Sequence, residues 1–433
     1  MQSYEAQAAH GGRKLVDCLS VRTVRNRTAR TIRGQRNREL STFRLGPLLA
    51  LLGVMRWPKQ PVQNVRPSRF APPFCPWPKC SAHRSRGKGF HRNGWYRTLS
   101  SPTRIPRFLC LDCGRSCSRQ TFSTTYYLKR PGLQVSIAYG LAACSCHRQL
   151  SRSLHCAKTT VTRQADRLGR HAILFHARCN AELPALVEPV VHDHFEVFIG
   201  RQDHALGIGT AVGAMSWYVY DVDPAPHRGS GRRPDRKPED GTTLRVKRPY
   251  VGSIKRSLRG LISHLLESDR LVLRVDGRLD YKVALRDETI GSRVTLQALP
   301  NPVRGPKGTP RSPEAKKRDR AMFPNDQLHQ LLRHTCSDHK RETIAFGRRL
   351  ESIMGRANLV AVWKNFIKAR SERARDRTTP AMRLGLTDDN WRFERILARR
   401  LFPHREAVSK PALRIYQKRW TPGLPRFHRR HAA

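Results

Sequence analysis

Short apolar runs in the second half of the chain predict a sheet flanked by helices. Turn residues bound these runs, which is typical of buried strands, and between them apolar residues recur at helical intervals. In chain order we predict strands over 190–199, 206–213 and 215–221, a helix over 253–267, strands over 271–276 and 295–299, and helices from about 325 to 370. This order of elements favours an α/β domain, which we place at residues 187–370.

Residues 133–171 show a different pattern, with apolar side chains at helical intervals: Ile137, Leu141, Leu150, Leu154, Val161 and Leu168. We predict one helix near 134–143, a second near 146–153, a turn at His155–Ala157 and a third helix from Lys158. A short turn before a helix that carries Thr and Arg is the arrangement that enters the major groove of DNA. We therefore predict a helix-turn-helix DNA-binding domain over residues 133–180.

The candidate DNA contacts of this domain are side chains that match base edges or phosphates. On the third helix, Arg163 suits a guanine and Gln164 suits an adenine. Thr159 and Thr160 suit a phosphate or a thymine methyl group. We add Arg148 of the second helix as a further candidate. The alternative is an ordinary packing unit of three helices.

Segments rich in Pro, Gly and basic residues separate these elements. We predict long basic loops at 224–250 and 301–320, and a basic C-terminal extension over 371–433. Residues 1–67 read as a basic arm that is disordered or binds nucleic acid. The alternative for this arm is that translation begins at Met55.

The chain of 433 residues carries 83 Lys and Arg against 33 Asp and Glu, a formal net charge of +50. Such a charge repels itself unless it meets a polyanion, so double-stranded DNA is the expected partner. No apolar run reaches the roughly 18 residues that cross a bilayer, so we expect no membrane partner and a cytoplasmic location. The eleven cysteines are an odd number, which favours reduced thiols over a disulfide framework.

Four of the cysteines form two closely spaced pairs. Four residues separate Cys75 from Cys80 in FCPWPKC, and two separate Cys110 from Cys113 in CLDC. Two thiolate pairs on tight turns suit a tetrahedral structural Zn²⁺ ion, so we predict a zinc ribbon over residues 70–130. The alternative donors for the fourth ligand position are Cys117, His83 and His91.

Two acidic residues interrupt apolar strands. Asp193 lies inside VVHDHFEVFIG and Asp276 ends LVLRVDG. A carboxylate on such a strand is costly unless it is paired or binds metal, and two of them can hold the ions that serve displacement at a phosphate. We expect a third ligand, Asp326, where FPNDQLHQLLRHT opens the next helix. The alternatives are a structural salt bridge for Asp193 and a turn position for Asp276.

The order of these motifs resembles that of bacterial insertion-sequence transposases with a zinc ribbon and a DDE-type catalytic domain. The resemblance covers about residues 70–400 and includes C-x4-C, CxxCGR, TFSTTYYLKRPGL and the helix-turn-helix. DQLHQLLRHTCSDHKRETIAFGRR is similar to a family block Glu-x-x-Asn-x3-Arg that is followed by a Thr. Asp326 stands at the Glu position and His329 at the Asn position, and both depart from the pattern. Arg333 and Thr343 stand at the Arg and Thr positions.

The resemblance implies a ribonuclease-H-like α/β catalytic domain preceded by the zinc ribbon and the helix-turn-helix module. It implies that Asp193, Asp276 and Asp326 hold Mg²⁺ or Mn²⁺, and that Arg333 contacts DNA. It also implies a homo-oligomer at the bacterial nucleoid that binds the terminal inverted repeats and target DNA. The alternatives for the third acid are Glu342 and Glu351. Two other functions stay open: a DNA-binding regulator or decayed transposase without chemistry, and a nuclease of the same fold.

Overall fold

A computed structural model describes residues 70–419 apart from 227–247, 304, 307, 341–344, 346 and 374. Several of the predicted features lie outside the described residues: the arm over 1–67, most of the loop 224–250, Glu342, Thr343 and the chain from Trp420 onward.

The first described element is a small antiparallel sheet of three strands. These are β1 (Phe90–Thr98), β2 (Ser101–Cys110) and β3 (Ser116–Ser118). The β1–β2 hairpin begins at the pair Phe90 and Cys110, and most of β1 is exposed. Its sequence, FHRNGWYRT, explains this because it offers few apolar residues to bury.

Three helices follow, and they match the predicted helix-turn-helix elements. They are α1 (Leu133–Ala142), α2 (His147–Ser153) and α3 (Lys158–Ala181). The apolar positions of the sequence pattern, among them Ile137, Leu150 and Val161, are buried between the helices. The helical spacing of the apolar residues was therefore sufficient to predict these three helices.

A mixed sheet of five strands forms the centre of the α/β unit, which confirms the predicted class. The strands are β4 (Val190–Ile199), β5 (Arg201–Gly213), β6 (Val219–Pro226), β7 (Leu271–Val275) and β8 (Val294–Ala298). Their spatial order is β6-β5-β4-β7-β8. The β4–β5 and β5–β6 pairs are antiparallel, whereas β4–β7 and β7–β8 are parallel. Strand β4 therefore lies at the centre, between its antiparallel and parallel neighbours.

Helices cover both faces of this sheet. One face packs on α4 (Val251–Ile262), which is followed along the chain by the short helices α5 (Leu279–Ala284) and α6 (Glu288–Gly291). The other face packs on α7 (Pro313–Thr335) and α8 (Leu350–Phe366). Side chains alternate along β4, so Asp193, Phe195 and Val197 all point to the α7 side.

Helix α7 corrects the predicted loop at 301–320, because its second half is helical. The helix begins after Ser312, whose side chain accepts a hydrogen bond from the backbone N–H of Ala315 at 3.2 Å, and Pro313 takes the first helical position. Asp326 therefore lies in the middle of the helix and does not open it. The misleading signal was the Pro, Gly and basic composition of 301–320, and Pro324 further along lies inside α7.

Helix α3 joins the helix-turn-helix to the α/β unit. Its second half packs on α8, and the two backbones approach so closely at Gly169 that a Cβ there would lie 2.8 Å from the Cα of Gly355. Further along, Nε2 of His176 is 2.7 Å from the carbonyl oxygen of Val219 on β6. One continuous helix therefore belongs to both modules.

The described part of the C-terminal extension packs against the N-terminal modules. It contains the short helices α9 (Pro380–Arg383), α10 (Phe393–Ile396) and α11 (Lys410–Tyr416). The ring of Phe402 lies 5.1 Å from that of Phe74, and the carbonyl of His404 accepts a hydrogen bond from Arg84 at 2.9 Å. These contacts cover the aromatic side of the ribbon.

Among the described helices, none combines the length and the apolar character that a membrane crossing requires.

The close contact of α3 and α8 predicts opposite effects for two Gly→Ala substitutions. At Gly169 the new methyl group meets backbone atoms, so we expect a loss of about 1–3 kcal/mol in the free energy of unfolding. At Gly260, on the exposed side of α4, no atom lies within 4 Å, and we expect a gain of about 0.5–1 kcal/mol. Urea unfolding of both variants measures this, and equal effects would show that the helices do not touch at Gly169.

Candidate functional site

The four predicted zinc ligands come together in one buried cluster. The sulfur atoms of Cys75 and Cys113 lie 3.6 Å apart, and those of Cys80 and Cys110 lie 3.9 Å apart. All four sulfurs lie within 4.8 Å of one another. With Zn–S bonds of about 2.3 Å, tetrahedral geometry places sulfurs about 3.8 Å apart. The cluster therefore fits a Zn²⁺ ion, and the sulfurs are too far apart for disulfides.

Local backbone turns create this geometry. The N–H of Cys80 donates to the carbonyl of Trp77, and the N–H of Gly114 donates to that of Cys110 at 2.9 Å. Gly114 has φ +66°, a left-handed conformation that a side chain disfavours and that glycine adopts freely. Each cysteine pair thus lies on a tight turn, as the spacing predicts.

The alternative donors for the fourth position do not join the cluster. His83 is buried nearby, but its Nδ1 lies 2.7 Å from the carbonyl oxygen of Cys75. Cys117 is buried in β3, and His91 is exposed on β1. Of the donors that the sequence offers, the structure groups the four cysteines.

The first two predicted catalytic acids lie side by side on adjacent parallel strands. Val190 of β4 pairs with Leu273 of β7, and the same register aligns Asp193 with Asp276 at the end of β7. The side chains of both acids are mostly buried. The alternation along two buried strands therefore brings two carboxylates together at one edge of the sheet.

Helix α7 brings Asp326 and His329 over this edge. Ligand atoms of Asp193, Asp326 and His329 lie within 4.8 Å of one another, and Nδ1 of His329 is 3.9 Å from Oδ2 of Asp193. Asp326 and His329 are three residues apart, so they lie on the same face of the helix. The structure thus brings Asp326 next to Asp193, beside a histidine that the sequence analysis treated only as a departure from a pattern, whereas Asp276 is not part of this close group.

Two of the three acids have arginine partners. Arg278 donates to Asp276 through its backbone N–H at 3.1 Å and its Nε at 3.2 Å. Arg318, two turns before Asp326 on α7, donates to that carboxylate at 3.0 Å. Within the described chain, no arginine or lysine lies within 4 Å of the Asp193 carboxylate. Asp193 is therefore the buried acid whose charge is least compensated.

The pKa of Asp193 reflects this position. Burial, reinforced by the negative charge of Asp276, raises the pKa of Asp193 from 3.8 to about 7. Burial also raises the pKa of Asp326, although the positive charge of Arg318 opposes the shift. Such a crowded set of carboxylates favours either a shared proton or a bound cation.

A hydrogen-bond network lies directly behind these acids. Thr210 on β5 is the register partner of Asp193. Its hydroxyl oxygen lies 2.7 Å from Oδ1 of Asn325 and 2.8 Å from Nε2 of His329. The side-chain amide of Asn325 in turn donates to the carbonyl of Thr210 at 3.2 Å. All three side chains of the network are buried, so it fixes α7 against the sheet.

The predicted DNA-contacting residues differ in how far their side chains are exposed to solvent. On α2 and α3, Arg148, Thr159 and Arg163 are exposed and Thr160 is half-buried. Gln164 is buried, and its side-chain amide donates to the carbonyl of Arg130 at 3.1 Å.

The expected adenine contact of Gln164 is therefore corrected: its side chain lies inside the module. The sequence could have predicted this burial, because Gln164 follows Val161 at helical spacing and so lies on the buried side of α3. Sequence reasoning also missed two residues of the exposed face, Lys158 and Thr162.

The two remaining candidates are Arg333 and Glu351, and their positions differ relative to the acidic centre, the group of carboxylates formed by Asp193, Asp276 and Asp326. Arg333, two turns after Asp326 on α7, has its guanidinium carbon 5.9 Å from the ring centre of Phe195. Glu351, an alternative third acid, lies in the first turn of α8 with its carboxylate 4.0 Å from Arg349. Glu351 is not part of the group formed by Asp193, Asp326 and His329.

A second group of metal-binding residue types lies at the end of α7. Cys336, Asp338 and His339 have ligand atoms within 4.8 Å of one another. Burial lowers the pKa of His339, but the charge of Asp338, 2.9 Å away, outweighs burial and raises it to about 10. Arg356 adds a positive charge 4.0 Å from the sulfur of Cys336. These charges compensate one another, so the group acts as a buried ion-pair network.

Comparison with known proteins adds no relative. No protein-family model matches the sequence. No curated protein shows significant sequence similarity to it. The function of the chain is therefore inferred from the geometry of the cysteine cluster and of the carboxylates around Asp193.

The cysteine cluster predicts one tightly bound Zn²⁺ ion per chain. We expect Cys75→Ser and Cys110→Ser to lose the ion and unfold the ribbon locally, because the metal supplies its folding energy. Elemental analysis and circular dichroism of the purified proteins measure this. The matched control is Cys146→Ser, which changes an exposed cysteine at the start of α2 and should keep the zinc. A full zinc content in both cluster variants would refute the site.

The raised pKa of Asp193 predicts a dependence of stability on pH. The protonated carboxyl stabilises the fold below pH 3.8, and this contribution is lost as the pH rises through about 7. Asp193→Asn keeps the shape and removes the charge. Each pKa unit corresponds to about 1.4 kcal/mol, so we expect the variant to gain up to about 4 kcal/mol at pH 8 and little at pH 4.

Urea unfolding without added Mg²⁺ or Mn²⁺ tests this prediction. Asp388→Asn is the control, because Asp388 is exposed and its replacement should change the free energy of unfolding by less than about 0.5 kcal/mol. A gain for Asp193→Asn that is the same at both pH values would contradict the assignment.

Proposed function

We propose that the protein is a DNA transposase that cleaves and joins DNA with divalent metal ions bound at Asp193, Asp276 and Asp326. The observation that carries this proposal is the position of Asp193 at one edge of the sheet, where its carboxylate lies within 4.8 Å of a ligand atom of Asp326 and close enough to Asp276 on the neighbouring strand for that charge to raise its pKa. The strand order, with three antiparallel strands followed by two parallel ones, is compatible with a ribonuclease-H-like fold.

The donor set fits hard divalent cations. Three carboxylates supply oxygen ligands, and the raised pKa of Asp193 shows that the protein alone does not compensate its charge. Mg²⁺ or Mn²⁺, when bound here, would polarise the scissile phosphate and lower the pKa of the attacking water or 3′-hydroxyl. Arg278 and Arg318 hold two of the carboxylates in place, and the buried network of Thr210 fixes the helix that carries the third.

The surface around this edge has the charge that a DNA substrate needs. Lys316, Lys317 and Arg320 are exposed in the first half of α7, which leads directly to Asp326. Their positive charges can neutralise phosphates on either side of the scissile bond. This basic segment is the part of the predicted loop 301–320 that forms a helix.

The ribbon and the helix-turn-helix supply surfaces for recognition of the terminal repeats. Thr159 and Arg163 lie on the exposed face of α3, where a recognition helix meets base edges. On the ribbon hairpin, the Trp95 ring is 48% exposed and the guanidinium carbon of Arg104 lies 4.0 Å from its centre. Exposed aromatic rings with arginine partners are suited to contact nucleic acid through stacking and phosphate contacts.

Two other functions share parts of this description. A nuclease of the same fold uses the same metal ligands but joins no strands. A DNA-binding regulator shares the ribbon and the helix-turn-helix, but it gives no reason for three acids at one sheet edge. Action as a homo-oligomer on DNA stays a prediction of the family resemblance.

A cleavage assay on DNA that carries the inverted repeats flanking the coding sequence tests the proposal. We expect Asp193→Asn, Asp276→Asn and Asp326→Asn each to lower cleavage by about 100–1000-fold, the usual cost of losing one charge-stabilising group. Binding of the repeats in a gel-shift assay should persist. Asp388→Asn is the control, because Asp388 is exposed and does not belong to the group around Asp193 and Asp326.

The outcomes separate the candidate functions. Binding of the repeats by the unchanged protein, without cleavage in either Mg²⁺ or Mn²⁺, would overturn the enzyme proposal in favour of the regulator. Cleavage without strand joining would identify a nuclease. A loss of cleavage in Asp388→Asn equal to that in Asp326→Asn would show that the effect does not depend on the acidic centre.

A further inference from the structure

We propose that the segment over residues 124–130, which joins the ribbon to α1, is a second DNA-contacting surface that binds phosphates beside α3. Its partner is the sugar–phosphate backbone of the same duplex whose bases α3 would contact. The inference rests on the part of the proposed function in which α3 recognises DNA, and it does not depend on cleavage.

Hydrogen bonds from α3 hold this segment beside the exposed face of the helix. Nη1 of Arg167 donates to the carbonyl of Thr124 at 3.1 Å and also to the carbonyl of Tyr126. Arg167 follows Arg163 by four residues, so the two side chains leave α3 on the same side. The segment therefore runs along the helix within about one turn of Arg163.

Both ends of the segment are attached as well. The buried Gln164 donates through its side-chain amide to the carbonyl of Arg130 at 3.1 Å. Nη1 of Arg130 donates to the carbonyl of His155, in the turn before α3, at 2.9 Å. At the other end, the hydroxyl of Thr124 donates to the carbonyl of Leu397 at 2.8 Å. The path of the segment along α3 is therefore fixed by the protein itself.

The side chains between these attachments face solvent. The side chain of Tyr127 is 82% exposed, far more than that of Trp95 at 48%. Tyr127 also has φ +58°, a left-handed backbone conformation that a bulky side chain disfavours. Lys129 and Arg130 follow and are exposed. Backbone strain that presents an aromatic ring beside two cations is typical of a binding surface.

The charge around this segment favours a polyanion. Residues 113–165 contain eight Lys and Arg residues and no Asp or Glu. A helix with its side chains is about 10–12 Å across and the major groove is about 12 Å wide, so α3 would fill the groove. A segment beside α3 would then lie over the backbone that borders the groove. There Lys129 and Arg130 pair with phosphates, and the Tyr127 hydroxyl donates to a phosphate oxygen.

Binding of the full-length chain to a duplex with the flanking inverted repeats, and to a random duplex, tests the phosphate contact when salt is varied. We expect Lys129→Ala to reduce the slope of log affinity against log salt by about 0.9, the value for one phosphate. Because such lines converge near 1 M salt, binding at about 0.1 M should weaken about 8-fold on both duplexes. Arg163→Ala, in contrast, should weaken binding of the repeats more than of random DNA.

Two variants control for the loss of charge. Lys129→Arg keeps the positive charge and should keep the slope. Arg286→Ala removes an exposed charge of the α/β unit, between α5 and α6, and should leave the slope unchanged. A slope that falls equally in Arg286→Ala and Lys129→Ala would show a general charge effect and overturn the contact.

Tyr127→Asn separates binding from folding. Asn tolerates the left-handed conformation better than Tyr does, so this variant removes the ring without adding backbone strain. We expect the midpoint of urea unfolding not to fall, while affinity for both duplexes drops about 2–10-fold, the usual net effect of one hydrogen bond. A lower midpoint with unchanged DNA affinity would overturn the role of Tyr127 in binding.

The results distinguish failure of this inference from failure of the proposed recognition. A preference for the repeats that Arg163→Ala reduces, with the same affinity and slope in Lys129→Ala as in the unchanged protein, would overturn the segment alone. Equal binding of both duplexes, with a reduced slope in Lys129→Ala, would support the segment and overturn recognition of the repeats. Binding of neither duplex would overturn both.

Discussion

The Asp193 carboxylate is buried in the central strand, and the groups around it are arranged under this constraint. A charged group in this position is unfavourable unless its surroundings supply compensating charge or it stays protonated. Asp276 increases the cost, because the parallel register places a second carboxylate beside the first. The chain nonetheless keeps both acids, and it uses arginines to hold Asp276 and Asp326 rather than Asp193. The protein thus retains an electrostatic cost at the one position where a bound cation would remove it.

The sequence predicted those parts of the fold that short-range patterns determine. Alternation located β4 and β7 with their acids, the spacing of cysteines located the cluster, and helical periodicity located α1, α2 and α3. The start of α7 was missed because the Pro, Gly and basic residues of 301–320 indicated a loop, although Ser312 and Pro313 form an ordinary helix start. The position of His329 could not be predicted, since its partner Thr210 lies 119 residues earlier and the contact exists only after folding.

Helix α3 connects the three-helix module rigidly to the α/β unit, because it belongs to both. Its first turns carry the exposed Thr159 and Arg163, and its later turns pack on α8 across Gly169 and Gly355. A rigid helix fixes the distance and angle between its two ends. The exposed face at the start of α3 and the sheet edge that carries the acids therefore have a defined separation, which the proposed transposase would need in order to cut at a fixed distance from its recognition sequence.

The packing of the C-terminal segment on the ribbon has a consequence for biosynthesis. Arg84 contacts His404 across 320 residues of sequence, and Phe74 contacts Phe402. At about 5–20 residues per second, a ribosome needs roughly 15–60 s to make the intervening chain. During that time the aromatic side of the ribbon lacks its cover, so a growing or prematurely terminated chain exposes phenylalanine rings. Such incomplete products are natural targets for chaperones and proteases.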